Sequence, residues 1–138
     1  MGTIADDGAP FVSMVPYAIE ASLSSLVIHV SKLAAHTGNL QARTKVSLLV
    51  MQPEVEGKPV HALPRVTLEG QARVLDVNTP SWGACRTAYL ERFPEVEPMT
   101  QLDDFMFVAI HITGARQVAG FGAARTIDEE EVRLALGR

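Results

Sequence analysis

Alternating and continuous runs of apolar residues predict a chain built mainly from β-strands. Short apolar runs bounded by Gly, Pro, Asn, Asp or Ser are typical of strands, whereas apolar residues spaced three or four apart indicate helices. The predicted strands are residues 11–17, 26–30, 46–51, 64–75, 105–112 and 115–121. Gly70 predicts a β-bulge or a close backbone approach within the fourth strand, and Gly114 predicts the end of the fifth.

Three short helices are predicted between and after these strands, at residues 33–43, 80–93 and 129–136. Thr79 directly precedes the second helix, where its side-chain oxygen can cap the first turn. Asp128 starts the third helix, whose acidic-to-basic charge order suits the helix dipole. The resulting order is β-β-α-β-β-α-β-β-α, with mostly short connections. It favours a mainly β, antiparallel architecture in one domain over residues 1–138, with closure into a six-stranded barrel hiding the sheet edges.

Composition and charge narrow the classes of function. The chain has 138 residues, 47% of them hydrophobic, and a formal net charge of -4, which argues against binding to nucleic acid or a membrane surface. The only cysteine, Cys85, excludes an intrachain disulfide, and no Cys or His spacing is typical of a metal site. The first residues lack a signal peptide and no apolar run reaches roughly 20 residues, so we expect a cytoplasmic protein.

The most informative segment is residues 26–39, where an apolar strand passes directly into a helix. Ser31, Lys32 and His36 place a hydroxyl, an ammonium group and an imidazole near this junction. Donors gathered at the start of a helix are suited to an anion such as a phosphate. The alternatives are a solvated strand end for Ser31 and Lys32, and a packing or capping role for His36.

Five segments in a fixed order carry a resemblance to a known family. They are residues 8–17, 30–40, 46–50, 64–70 and 120–123. Together they resemble the FMN-binding split barrels related to pyridoxamine 5′-phosphate oxidase, in the branch that includes the haem-utilisation proteins. The resemblance implies a six-stranded antiparallel split barrel that forms a homodimer, with FMN sites between the subunits and a small-molecule substrate.

The resemblance also implies a set of cofactor-binding residues but no catalytic residue. Ser31 and Lys32 match the family's phosphate-binding pair, while Phe11 and Pro16 stand where the oxidases carry basic residues. The full set comprises Ser13, Met14, Val15, Ser31, Lys32, His36, Thr37, Asn39, Arg65 and Thr67.

The leading functional prediction is an FMN-binding flavoprotein that acts as a flavin-dependent oxidoreductase. Two alternatives use the same fold. One is a protein that binds or degrades haem, and the other is a dimeric module without a cofactor.

Overall fold

The computed structural model describes residues 1–137, which form one antiparallel sheet and three α-helices. The strands are β1 (Gly2–Ile4), β2 (Pro10–Val12), β3 (Ala18–Glu20), β4 (Ser25–Ser31), β5 (Lys45–Met51), β6 (Arg65–Val74), β7 (Phe105–Val118) and β8 (Ala124–Ile127). The α-helices are α1 (Ala35–Ala42), α2 (Pro80–Arg92) and α3 (Glu129–Leu136), and a 3-10 segment spans Pro94–Gln101. Within residues 1–137, no helix is long and apolar enough to cross a membrane.

The strands follow the order β2-β1-β5-β6-β7-β4-β3, and β8 pairs with β7 beside this path. Strand β7 is the centre of the sheet, because β6 lies along one side of it while β4 and β8 share the other. Every strand pairing is antiparallel, so the predicted mainly β antiparallel fold with short helices is confirmed. The predicted count of six strands is corrected to eight, in an open sheet.

Two predicted strands differ from the structure for identifiable reasons. Residues 11–17 do not form one strand, since β2 ends at Val12 and β3 begins only at Ala18. Pro16 lies in the gap and has no N–H to donate to a ladder. Gly114 does not end a strand either, because β7 continues through it and pairs with both β6 and β8 beyond that point.

Apolar side chains fill both faces of the sheet where β4 pairs with β7. One face carries a core cluster that includes Leu26, Ile28, Val30, Val108, Ile110 and Ile112. The opposite face carries Val27, Phe107 and Ala109, which pack with Cys85 and Tyr89 of α2. Burial on both faces explains why β4 has a nearly uninterrupted apolar sequence instead of an alternating one.

The predicted cap at Thr79 is present, and Asp128 caps α3 in the same way. The Oγ1 atom of Thr79 accepts a hydrogen bond from the backbone N–H of Trp82 at 3.3 Å. The Oδ1 atom of Asp128 accepts one from Glu131 at 2.9 Å. Each bond satisfies a backbone donor that the first helical turn leaves without a partner, which fixes where α2 and α3 begin.

Gly70 lies too close to β7 for a side chain, which is the close backbone approach that was predicted as one of two possibilities. The bulge itself lies in β7, where Thr113 is the unpaired residue opposite Gly70, and not within the strand of Gly70. The pairing of β6 with β7 shifts register between Glu69 and Gly70. A Cβ atom at Gly70 would lie 2.7 Å from Cγ2 of Ile110 and 2.8 Å from the backbone oxygen of His111. We expect Gly70→Ala to lower the free energy of unfolding by about 1–3 kcal/mol, measured by urea denaturation, because β7 must shift to admit the methyl group.

Gly114→Ala is the matched control in the neighbouring strand. A Cβ atom there would come no closer than 3.7 Å to another residue, the backbone oxygen of Ile127. We expect this variant to unfold at the urea concentration of the unmodified protein or slightly above it. Equal stabilities for the two variants would contradict the close-approach argument.

Candidate functional site

The first turn of α1 brings His36 against the segment that follows β2. The Nδ1 atom of His36 lies 3.0 Å from the hydroxyl oxygen of Ser13, although the two residues are 23 positions apart. His36 is partly buried, and this burial, together with the positive amino group of Met1, lowers the pKa of its imidazole. The ring is therefore uncharged at neutral pH. Within residues 1–137, Nε2 of His36 has no hydrogen-bond partner, so a lone pair is available there when Nδ1 carries the proton.

Hydrogen bonds from the next residues of α1 fix the position of this helix. The hydroxyl of the buried Thr37 donates to the backbone oxygen of Ser31 at 2.6 Å. The amide nitrogen of Asn39 donates to Oγ1 of Thr3 in β1 at 3.1 Å. These bonds tie α1 to β4 on one side and to β1 on the other. The polar atoms of Thr37 and Asn39 thus hold the helix in place, and the helix holds His36.

Two strongly exposed apolar side chains lie next to this pair in the sequence. Met14 follows Ser13 and is 85% exposed, and Leu33 lies three positions before His36 and is 88% exposed. Val15, by contrast, packs against the core cluster of the sheet. An uncharged imidazole with apolar neighbours is a suitable surface for a flat, largely apolar molecule.

The structure places Lys32 away from His36. Lys32 lines a cleft of about 540 Å³ together with residues of β4, α2 and β7, and neither Ser13 nor His36 lines that cleft. The hydroxyl of Ser31 accepts a hydrogen bond from the backbone of Leu33 at 3.2 Å, which closes a local turn. The junction that the sequence presented as one anion site is thus divided between two surfaces.

Arg65 and Thr67 lie still further from this junction in the same chain. Ser31 pairs with Phe105 at one end of β7, whereas Arg65 pairs with Val118 at its other end. Strand β7 has 14 residues, and a rise of ~3.3 Å per residue puts these ends roughly 43 Å apart along the strand. The guanidinium of Arg65 donates to the backbone oxygen of Leu63 at 3.1 Å. Within one chain, Arg65 and the junction at Ser31 therefore lie at opposite ends of β7.

The buried position of Thr3 and the aromatic contacts of His29 were not predicted from the sequence. Thr3 is buried in β1, a strand of three residues that leaves almost no periodic signal. His29 lies in β4, and its ring stacks on that of Phe105. Because side chains alternate along β4, His29 lies on the same face as Val27. This alternation could have predicted that His29 packs beside the core. Within residues 1–137, no group of three or more His, Cys, Asp and Glu side chains is arranged to hold a metal ion.

The open antiparallel sheet, its long central strand and the histidine-bearing helix α1 define a small, mainly β domain. Residues 1–132 match the family described as CREG, beta-barrel. The chain belongs to this family. Its resemblance to the split-barrel branch that includes haem-utilisation proteins is also confirmed, because the relatives include such a protein.

The relatives are proteins named for haem. The chain is 26% identical over 133 residues to the haem oxygenase HutZ of Vibrio cholerae serotype O1 (strain ATCC 39315 / El Tor Inaba N16961), covering 96% of this chain and 74% of HutZ. It is 34% identical over 118 residues to the chloroplastic non-canonical haem oxygenase HOZ of Arabidopsis thaliana, covering 86% of this chain and 34% of HOZ. The structure of a haem-binding protein from Mycobacterium smegmatis superposes with a TM-score of 0.86 at 26% identity, covering 96% of this chain and 53% of that one.

These relatives correct the leading functional prediction. The prediction of an FMN-binding flavoprotein oxidoreductase is wrong, because the relatives are named as haem oxygenases and a haem-binding protein. The prediction of FMN as the cofactor loses its support for the same reason. The alternative reading, in which the same fold serves haem, is the one that agrees with the relatives.

Proposed function

We propose that this chain binds haem and takes part in its oxidative breakdown, with His36 as the iron ligand. One observation carries the proposal: an imidazole with lowered pKa, held through Nδ1 by Ser13 at 3.0 Å. The relatives named for haem support the choice of ligand. The chain spans only about a third of HOZ and half of the mycobacterial chain, and the activity is proposed for the part of the fold that they share.

The residues around His36 fit a haem group. Iron binds neutral imidazole, and a lowered pKa keeps His36 in that form. Histidines that ligate metals commonly donate their other ring N–H to a neighbouring oxygen, and Ser13 provides that oxygen. The exposed side chains of Met14 and Leu33 offer apolar surface to the flat macrocycle.

Residues of this chain would fix the position and the protonation state of the His36 imidazole. With Nδ1 of His36 protonated and donating to the hydroxyl oxygen of Ser13, the lone pair would lie on Nε2, which would be the atom that binds the iron. Thr37 and Asn39 hold α1 rigidly against β4 and β1, so the imidazole keeps its orientation. When bound, haem supplies the redox-active iron. The side chains of Met14 and Leu33 restrict the access of water to its face.

We also propose that the chain forms a homodimer through the part of the sheet that no helix covers. Across four adjacent strands, the register aligns Leu49 with Thr67, Thr67 with Arg116, and Arg116 with Thr126. Directly paired residues point to the same face of a sheet. Helix α2 packs on the other half of this face, against Val27, Phe107 and Ala109.

The uncovered half of the face carries apolar side chains that a second copy would bury. Leu49 is 58% exposed and Met51 is 48% exposed, and both point outward from β5. Met51 pairs with Arg65 and Leu49 with Thr67, so a partner subunit docked here lies against both of these polar residues. This arrangement would bring Arg65 and Thr67 of one chain towards the haem site of the other, which a single chain cannot do.

The proposed activity is tested by incubating the purified protein with hemin and ascorbate under air. We expect the Soret absorbance of the bound hemin to decay while a linear tetrapyrrole accumulates, identified by mass spectrometry. Protein denatured before hemin is added is the control for uncatalysed bleaching. Binding of hemin without product formation would limit the proposed function to haem binding and contradict the proposed breakdown. Neither binding nor product would favour the dimeric module without a cofactor.

A further inference from the structure

The segment formed by residues 13–17 links the two edge strands of the sheet, β2 and β3, and belongs to no helix or strand itself. Every second side chain in it is partly buried, namely those of Ser13, Val15 and Tyr17, and the two between them are exposed. An extended chain has this alternation, because successive side chains point to opposite sides. The hydroxyl of Ser13 therefore faces His36 in only one register, since a shift by one residue would turn it outward.

Backbone hydrogen bonds hold the first end of this segment. The backbone N–H of Ser13 donates to the backbone oxygen of Met1 at 2.9 Å. The amino group of Met1 donates in return to the backbone oxygen of Ser13 at 2.6 Å. These bonds place the backbone of Ser13, and the course of the segment beyond it depends on how its other end is held.

Arg92, the last residue of α2, holds the other end. Its Nη1 atom donates to the backbone oxygen of Tyr17 at 2.6 Å, although the two residues are 75 positions apart. Its guanidinium carbon also lies 4.7 Å from the ring centre of Tyr17 and 5.1 Å from that of Phe93. A cation within about 6 Å of the face of an aromatic ring is attracted to it. Arg92 thus contacts Tyr17 through both its backbone and its ring.

The surroundings of Arg92 commit its side chain to this contact. Within residues 1–137, Arg92 forms no salt bridge, and no other side chain forms a hydrogen bond with residues 14–17. The helix that carries it is a firm support, because α2 packs into the core through the buried Cys85 and Tyr89. A positive charge in the last turn of a helix is also favoured by the helix dipole.

We propose that Arg92 is a positioning residue for the haem site. It keeps the segment 13–17 in register from its far end and thereby holds the hydroxyl of Ser13 against Nδ1 of His36. The guanidinium acts through Tyr17 and Ser13 and not by contact with haem. This inference rests on the proposed function, because it takes His36 as the iron ligand.

The ring nitrogens of His36 report this contact without haem. In haem-free protein labelled with 15N-histidine at about pH 8, the bond to Ser13 should fix one tautomer and separate the nitrogen shifts of His36 from those of the exposed His61. Arg92→Gln removes the cation and should move the His36 shifts towards those of His61. Arg92→Lys keeps a cation over the ring of Tyr17 and should preserve most of the separation.

Arg86→Gln is the matched control for this measurement. Arg86 lies earlier in the same helix, and its guanidinium contacts Thr100 and Glu97 of the 3-10 segment instead of Tyr17. We expect the His36 shifts of this variant to equal those of the unmodified protein. Unchanged His36 shifts in Arg92→Gln would overturn the proposal. His36 shifts that match those of His61 in the unmodified protein would overturn it as well.

A double-mutant cycle with hemin tests whether Arg92 acts through Ser13. Alone, Arg92→Gln should raise the dissociation constant about threefold, less than Ser13→Ala, because Met1 still holds the backbone of Ser13. In the Ser13→Ala background it should have no further effect, since no hydroxyl remains to be placed. Equal effects in both backgrounds would overturn the proposal. If hemin does not bind the unmodified protein, the proposed function fails, while the His36 shifts still decide the role of Arg92.

Discussion

Replacing His36 by alanine should weaken hemin binding by at least about 100-fold, measured by titration of the Soret absorbance. The substitution removes the one imidazole that combines a lowered pKa, an anchored Nδ1 and an unpaired Nε2. Loss of a partner that merely orients a metal ligand typically costs 10–100-fold in affinity, and loss of the ligand itself should cost no less. The side chain is partly buried on a short helix, so circular dichroism should confirm that α1 persists.

Two further substitutions test whether the loss of hemin affinity is specific to His36. Ser13→Ala removes the acceptor at Nδ1 but leaves the imidazole, and we expect a loss of about tenfold. His61→Ala removes an exposed histidine in the loop before β6 and should have no effect. If His36→Ala and His61→Ala bind hemin with equal affinity, His36 is not the iron ligand.

Replacing Leu49 by glutamate should raise the dissociation constant of the homodimer by at least about 100-fold. In a symmetric dimer the substitution removes apolar contact area twice and places two carboxylates in the interface. A buried charge without a partner costs several kcal/mol, and each 1.4 kcal/mol changes the constant tenfold. Sedimentation equilibrium over protein concentrations up to about 100 µM measures the change directly.

Leu134→Glu is the matched control for the dimer. Leu134 is 50% exposed, close to the 58% of Leu49, but it lies on α3 instead of the uncovered sheet face. We expect this variant to dimerise as tightly as the unmodified protein. An unmodified protein that remains monomeric at the highest concentration, or a Leu49→Glu variant that still dimerises, would contradict the proposed interface.

The elements that the sequence predicted well are those determined by local signals. The cap at Thr79 and the helix start at Asp128 depend on contacts within one helical turn, and the close approach of β7 at Gly70 agrees with the lack of a side chain there. Strand β1 escaped prediction, because it has three residues and is stabilised by pairing with β2 and β5. Strand β2 was predicted to extend to residue 17 but ends at Val12. Gly114 was misread because its place between β6 and β8 depends on contacts distant in sequence.

The candidate site was predictable as a set of residues but not as an arrangement. Ser13 and His36 were both selected, and the structure brings them within hydrogen-bond distance. Lys32 is only four positions from His36 but lines a different cleft, since the chain turns at the end of β4. Arg65 was selected for the same site, although it pairs at the opposite end of β7. Proximity in sequence could not establish on which side of a turn each side chain lies.

The identity of the cofactor was the least predictable feature. The resemblance placed the chain among proteins of one fold that bind different planar cofactors, and Ser31 and Lys32 suggested the phosphate of FMN. In the structure the hydroxyl of Ser31 closes a local turn, and Lys32 lines the cleft beside α2. The features that favour haem, an anchored neutral imidazole and its exposed apolar neighbours, depend on tertiary contacts and burial.

A hemin titration of the unmodified protein tests the central claim most directly. Hemin added stepwise to the metal-free protein at neutral pH should produce a shifted Soret band that saturates at one hemin per chain. The ferric spectrum should indicate histidine ligation and lose that signature in His36→Ala. A Soret absorbance that rises without saturation, or a histidine-ligated spectrum that survives in His36→Ala, would contradict the account.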